Sequence, residues 1–395
     1  MAKKTPLHVC LIAGEHSGDH MGALMMRALI ERTGGNIKFS GIGGGEMCAQ
    51  GAAHGFESLF PMEELAIAGI FEIVPHLARI LRRINETASH IRALRPDVLV
   101  TIDSPAFAFR VGRKLKGAVG THVHYVAPSV WAWRPRRARM IAGFLDHLLT
   151  IFPFEAPYFE KWGLGATFVG HPTAEMELDQ GDGSAFRSAH GLAPDQPLLC
   201  VLPGSRHSEV SKLLPVFGET VAKLKSRFPD IAIVVPVVDT VANEVRARVS
   251  EWHVPVIVTE GMAAKRDAFA AADAALAASG TVTYELAMAG LPMVVAYRMA
   301  SASAFIIQRM IKIKYASVVN IVLGRQVVPE CIQQKCTPEN LVREVGALLA
   351  DPALRARQKA ELGAVATAIG RGMPPASETA ADAILALVAG KRENQ

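Results

Sequence analysis

Runs of apolar residues closed by Gly, Asp, Ser or Pro recur along the chain at intervals that leave room for a helix. In the first half they are 7–13, 37–42, 98–103, 122–126, 147–152 and 167–169. In the second half they are 198–202, 231–238, 254–259, 274–278 and 293–297. The runs are nearly continuous rather than alternating, which predicts parallel strands covered by helices on both faces. Helical spacing fills the gaps, as at 20–32, 84–94, 210–227 and 282–289. Two successive β-α series predict two doubly wound domains. The first spans 1–172 and the second 173–340, joined near the loop-like Asp-Gln-Gly-Asp-Gly at 179–183, with an Ala/Leu-rich helical tail at 341–395. That tail is expected to pack back on the first domain or on a partner subunit.

The expected architecture is α/β: two facing Rossmann-like domains, a cleft between them and a helical C-terminal tail. Glycosyltransferases of the GT-B class use that arrangement, but sugar-nucleotide epimerases share it, so the activity has to come from the strand ends. Ligands of open parallel sheets bind beyond the carboxyl ends of the strands. The first strand of the second domain ends in Pro203-Gly204-Ser205-Arg206, with Glu209 behind it. Gly204 permits close backbone approach, Ser205 and the next amides can donate to phosphate, and Arg206 is a two-pronged cationic donor. The strand at 274–278 ends in Ser279-Gly280-Thr281, followed by Glu285. Ser279 or Thr281 can cap the incoming helix, whose positive end favours a diphosphate, and the Glu285 carboxylate can accept from a ribose diol. Each turn alone also fits an ordinary strand-to-helix connection; two in one domain favour a nucleotide-sugar site. Asn320, with Glu330 and Gln333, follows the last strand, where a polar side chain reads the uracil or the sugar, or belongs to an ordinary surface loop.

The first domain carries Gly14-Glu15-His16-Ser17-Gly18-Asp19 after its first strand. This has neither the glycine spacing of dinucleotide binders nor that of a P-loop, which argues against NAD and ATP. Its carboxylates suit hydroxyl groups. Asp103 ends another strand, ahead of Ser104-Pro105. A sugar hydroxyl attacking an anomeric carbon needs a proton acceptor, and Asp103 fits that role as well as that of a turn cap. His16, His20, His122, His124 and His171 are rival bases.

Composition narrows the class. Half of the 395 residues are hydrophobic and 20% charged, as in globular proteins. The net charge of +5 is too small to argue for nucleic acid. Five scattered cysteines form neither a disulfide framework nor a zinc set, and a reducing compartment is the simple reading. The apolar stretch near the start meets a turn rather than a cleavage site, and no run spans a bilayer, so the expectation is a cytoplasmic protein with peripheral membrane contact at most. Ile67, Ile70, Phe71, Val74, Leu77 and Leu81 recur at helical spacing, followed by Arg82 and Arg83. They fit either a crossover helix or a face dipping into anionic lipid, with Pro75 expected to split the segment into two helices. Trp131 and Trp133 beside Arg134, Arg136, Arg137 and Arg139 suit lipid head groups or an acceptor phosphate.

Taken in order, the segments resemble the lipid-A-disaccharide synthase family. The matching stretches include 13–19, 62–69, Ile102-Asp103-Ser104-Pro105, 124–134, 152–155, 169–172, 202–206 with Glu209, and 278–281 with Glu285. Residues 293–299, Asn320 and 328–330 with Gln333 complete the set. The resemblance implies an inverting, metal-independent transferase without a cofactor, peripheral at the cytoplasmic face of the inner membrane. It implies UDP-2,3-diacylglucosamine as donor and 2,3-diacylglucosamine 1-phosphate (lipid X) as acceptor, giving a β(1→6) disaccharide and UDP. Asp103 is then the base, with Glu15 and Asp19 shaping the acceptor side. Arg206, Ser279, Gly280, Thr281, Glu285 and Asn320 hold UDP, supported by Glu209, Glu330 and Gln333. The family also implies a homodimer exchanging C-terminal segments. Rival readings are another membrane-associated UDP-sugar transferase, a UDP-GlcNAc 2-epimerase, and a non-catalytic lipid or nucleotide carrier.

Overall fold

The computed structural model describes residues 5–65, 70–133, 136–299 and 314–393. It divides into one unit of residues 1–172 and 372–395 and a second of 173–371. Each unit is built on a six-stranded, wholly parallel sheet.

In the first unit the strands are β1 (Leu7–Ala13), β2 (Ile37–Ile42), β3 (Val98–Ile102), β4 (Thr121–Tyr125), β5 (His147–Thr150) and β6 (Gly165–Phe168). Their order is β2-β1-β3-β4-β5-β6. Alternate residues of β1 feed different cores: Val9, Leu11 and Ala13 one face, Cys10 and Ile12 the other. That two-sided burial is why the run reads as continuously apolar. Helices α1 (His16–Thr33), α2 (Gly45–Gly51), α3 (Ile70–Leu94) and α4 (Pro105–Leu115) follow the first three strands. The short α5 (Val130–Trp133), α6 (Arg136–Ala142) and α7 (Pro157–Glu160) follow the next two. The expected break at Pro75 is absent, since α3 is one helix from Ile70 to Leu94. Pro75 falls in its second turn, near the helix start, and the helix runs on past it.

In the second unit α8 (Gly183–Ala189) precedes β7 (Leu198–Leu202), β8 (Ala232–Val237), β9 (Val256–Glu260), β10 (Ala274–Ala278), β11 (Met293–Tyr297) and β12 (Glu330–Ile332). Their order is β12-β11-β10-β7-β8-β9. The connecting helices are α9 (His207–Arg227), α10 (Ala242–Val249), α11 (Met262–Ala271) and α12 (Val282–Ala289), then α13 (Val318–Leu323) ahead of β12. Strand β12 was not expected: it has three residues, begins with Glu330, and is held by pairing to β11 through Val295, Ala296 and Tyr297.

The tail is not one body. Helices α14 (Pro338–Ala350) and α15 (Pro352–Ala368) stay with the second unit, and only α16 (Ala376–Glu393) joins the first. Ala380, Ala381, Ile384 and Val388 of α16 enter the core that holds Met25 and Leu29 of α1. Arg32 clamps the pair from outside, bonding Glu378 at 2.7 Å and Asp382 at 2.9 Å.

Both sheets reverse direction once. In the first the chain builds β1 and β2, then crosses to place β3 on the other side of β1; in the second β10 lands on the far side of β7. The carboxyl ends of β1 and β3, and of β7 and β10, are therefore the switch points where such sheets bind ligands.

Candidate functional site

At the switch point of the second unit is a pocket of about 220 Å³, lined by the ends of β7, β8 and β10 and by Lys265 of α11. Gly204 has φ +115°, and a Cβ there would meet Glu209 Oε2 at 2.5 Å, so only glycine lets the turn close over Glu209. Glu209 accepts from the Ser205 amide and from Arg206 Nη1, both at 3.3 Å. It fixes the turn while the Arg206 side chain, 71% exposed, reaches outward. Across the pocket, α12 begins at Thr281 with no side-chain cap. The expected Thr281 cap is therefore absent. Its first turn is instead braced by Thr283, whose hydroxyl donates to Gly280 O at 2.8 Å. An uncapped N-terminus facing a polar pocket is a place for anionic oxygen. Ser279 extends the turn, its amide bonded to Ala296 O and its hydroxyl 3.5 Å from Ala316 O.

Glu285 enters the pocket from the first turn of α12 and is 8% exposed overall. Lys265 stands 2.5 Å from its Oε2 in an ion pair with both side chains largely sequestered. No directed donor serves that buried oxygen, so the pair is a charge contact rather than an aligned hydrogen bond. The sequence reading missed Lys265, because it lies inside a helix, away from any strand end, with nothing in its neighbourhood to mark it.

Asn320, expected to touch the nucleotide, is fully buried and spent on the protein. Its Nδ2 donates to Val328 O and Glu330 Oε1, and its Oδ1 accepts from the Val327 and Val328 amides. A side chain with its polar atoms so occupied braces a loop and cannot also read a base. Glu330 likewise accepts from the Ala316 and Ser317 amides at 3.0 and 2.9 Å, pinning the segment that passes Ser279. Gln333 accepts from the Met299 amide at 3.4 Å and has φ +53°.

In the first unit the chain leaves β3 through two residues of positive φ in succession, Asp103 at +48° and Ser104 at +43°. Left-handed backbone at non-glycine residues costs energy and concentrates at functional positions. The Ser104 side chain lies against Gly14, where a Cβ would meet its Oγ at 2.4 Å, so the ends of β1 and β3 interlock. Burial pushes the Asp103 carboxyl above the usual aspartate range, with the Ser104 amide opposing. No cation among the described residues is paired with it. Glu15 is exposed at the start of α1. Asp19 is corrected from the catalytic group: it is 3% exposed and accepts from the Gly44, Glu46 and Met47 amides at 2.7, 3.0 and 3.1 Å. It caps α2 and holds the loop beside β2.

The rival histidines divide cleanly. His122, His124 and His171 are buried and burial lowers them to about 4, about 3 and about 4, while His16 and His20 are exposed. Another buried group, in the matching stretch 152–155, was given no role in sequence: Glu155, 1% exposed, accepts from Trp131 Nε1 and the Phe152 amide at 3.2 Å each, and burial pushes it up to about 7. Of the candidate lipid-facing residues, Ile67 and the side chains of Ile70, Phe71, Val74 and Leu77 lie outside the described residues. Leu81 is 47% exposed. Among the described residues no helix is long and apolar enough to cross a membrane. No group of three or more His, Cys, Asp or Glu among them could hold a metal ion.

Two doubly wound units, one with a phosphate-suited turn and a carboxylate in a single pocket, define a protein of the GT-B class. Solved structures agree on the fold: a UDP-GlcNAc 2-epimerase from Neisseria meningitidis bound to UDP-GlcNAc (TM-score 0.61, 12% identity, 96% of this chain and 99% of that one). MurG from Acinetobacter baumannii superposes with a TM-score of 0.56 at 15% identity, over 96% and 99% of the two chains. Sequence goes further: the profile of the family described as Lipid-A-disaccharide synthetase matches residues 9–384, and the chain belongs to that family. Relatives named lipid-A-disaccharide synthase include one from Rhodospirillum centenum, 50% identical over 97% of this chain and 95% of that one. Another, from Paramagnetospirillum magneticum, is 49% identical over 98% and 99%.

Proposed function

We propose that this chain is an inverting glycosyltransferase joining UDP-2,3-diacylglucosamine to 2,3-diacylglucosamine 1-phosphate, releasing UDP and the β(1→6) disaccharide 1-phosphate. Family membership gives the reaction its name; the observation that carries it structurally is the pocket at the β7/β10 switch point, where Arg206, the start of α12 and Glu285 converge. Arg206 and the amides at Gly280–Val282 receive the diphosphate, and Glu285 accepts from the ribose diol. The acceptor 6-hydroxyl attacks the anomeric carbon, the bond to the diphosphate oxygen breaks with its electron pair leaving on UDP, and Asp103 takes the hydroxyl proton. A carboxyl with its proton affinity raised by burial is the better acceptor. The cation and helix end answer the charge that grows on the leaving group, so the reaction is proposed to run without metal.

The acyl chains are proposed to rest against the face of 67–81, followed by the exposed Arg82, in peripheral contact with anionic lipid. Ser at Ile70, Phe71 and Val74 is then expected to release the protein from anionic liposomes. Exchange of C-terminal segments in a homodimer would re-form in trans the contacts of Arg32 with Glu378 and Asp382 that α16 makes here within one chain.

The test is a mass-spectrometric assay with both acylated substrates, in detergent with EDTA. Disaccharide 1-phosphate and UDP in equal amounts support the reading. Conversion of unacylated UDP-GlcNAc to its 2-epimer would replace it with the epimerase, and UDP binding without turnover with the carrier.

A further inference from the structure

The buried ion pair in the nucleotide pocket calls for an explanation that stability does not supply. Sequestering a lysine and a glutamate costs about as much as their attraction returns, so a hydrophobic pair would hold α11 to α12 at least as well. The pair also stands at the pocket wall rather than in the core. Lys265 Nζ is 2.5 Å from Glu285 Oε2, and that oxygen is buried, so the ammonium holds one end of the carboxylate. The Lys265 ammonium also lies over the Phe269 ring, 5.7 Å from its centre, a second contact that helps hold it in place.

We propose that Lys265 is a positioning residue for nucleotide recognition: it fixes the Glu285 carboxylate so that the pocket selects a nucleoside diphosphate carrying a ribose diol. The inference rests on the reading of this pocket as the nucleotide site. A carboxylate on a flexible side chain loses rotational freedom when it binds a diol, and an ammonium already in contact removes most of that loss before the ligand arrives. Oε2 is buried against the ammonium, so the acceptor left for a ribose hydroxyl is Oε1. An acceptor held in one orientation matches a hydroxyl of the diol; a mobile one matches it poorly.

The experiment is calorimetric titration of the full chain with UDP and with 2′,3′-dideoxy-UDP. The wild-type protein is expected to prefer UDP by about 10-fold or more, the range for hydrogen bonds to a charged group. Lys265→Met should shrink that preference to about threefold or less, and Lys265→Arg, which keeps a cation, should restore most of it. Lys265→Gln serves in place of Met if the Met variant melts well below wild type. Equal loss of affinity for both nucleotides, with the preference kept, would make Lys265 a simple attractor of diphosphate and overturn the proposal. An unchanged preference in a folded Met or Gln variant would overturn it as well. A wild-type protein that binds neither nucleotide would remove the pocket reading itself. Wild-type binding of both nucleotides with equal affinity would remove the Glu285 assignment and this inference with it, leaving the diphosphate turn standing.

Discussion

The two units place carboxylates at the same topological position and surround them in opposite ways. At the β7/β10 switch point Glu209 meets Arg206 and Glu285 meets Lys265. At the β1/β3 switch point Asp103 has no paired cation among the described residues, sits on strained backbone and is raised by burial. A carboxylate held by a neighbouring cation is fixed in place to accept hydrogen bonds, which is what holding a ribose needs. One that burial makes more basic takes a proton, which is what activating a hydroxyl needs. On the proposed function, one fold used twice would supply a binding carboxylate and a reactive one through their different neighbours.

The largest effect should come from the reactive side. Asp103→Asn is expected to lower turnover on the order of 10²-fold or more. In the wild-type enzyme, turnover should fall on acidification with a midpoint above the usual aspartate value, because protonated Asp103 cannot act as base. A flat acid limb down to pH 4 would argue against it. Next, Glu285→Gln should weaken UDP binding by roughly 10-fold or more, measured by calorimetry; unchanged affinity would remove the ribose assignment. Gly204→Ala should follow, since the new methyl must displace Glu209 and adopt φ +115°, at a cost of about 1–3 kcal/mol in the turn. It should appear as weaker UDP binding with a small drop in melting temperature.

Asn320→Ala sharpens the contrast from a different side. It leaves the half-buried Val327 and buried Val328 amides without their acceptor, so it should cost about 1–3 kcal/mol of stability. UDP affinity measured well below the melting point should stay within about twofold if Asn320 only braces the loop, as its bonds indicate.

The smallest effect is in pH. The first unit buries His122, His124 and His171, held to about 4, about 3 and about 4 against 6.5, whereas His190, His207 and His253 of the second are exposed. Between those lowered values and 6.5 the unfolded chain takes up protons that the folded unit refuses, so stability falls as pH drops through that window. Glu155 opposes this. Pushed up to about 7 from 4.5, it favours the folded state below 4.5 and loses that contribution as pH rises through 7. Glu155→Gln should therefore steepen the fall in melting temperature between pH 6.5 and 4.5. Equal slopes in the two proteins would contradict the assignment.

Much of this was legible in the residues. The runs at 7–13, 37–42, 198–202, 274–278 and 293–297 coincide with observed strands, because strands buried on both faces leave an uninterrupted apolar signal. The pocket turns at 203–206 and 279–281 were legible for the same reason: they end such runs. Strand β12 was hidden, being three residues held by pairing rather than pattern. The division of the tail was hidden too, since Ala/Leu periodicity marks a buried face and not which unit buries it. Asp19 and Asn320 were misplaced because polarity in a loop cannot show whether a side chain faces a ligand or the backbone beside it. Lys265 needed the sheet to be built first: sixty-odd residues of chain separate it from the Gly204 turn, and the strand order β10-β7-β8-β9 brings α11 to that turn.

The division of labour between the two carboxylates can be read on one preparation of Asp103→Asn by measuring both UDP affinity and product formation. UDP affinity is expected within about twofold of wild type, with turnover lower on the order of 10²-fold or more. Near-wild-type turnover, or a loss of UDP affinity as large as the loss of turnover, would contradict it.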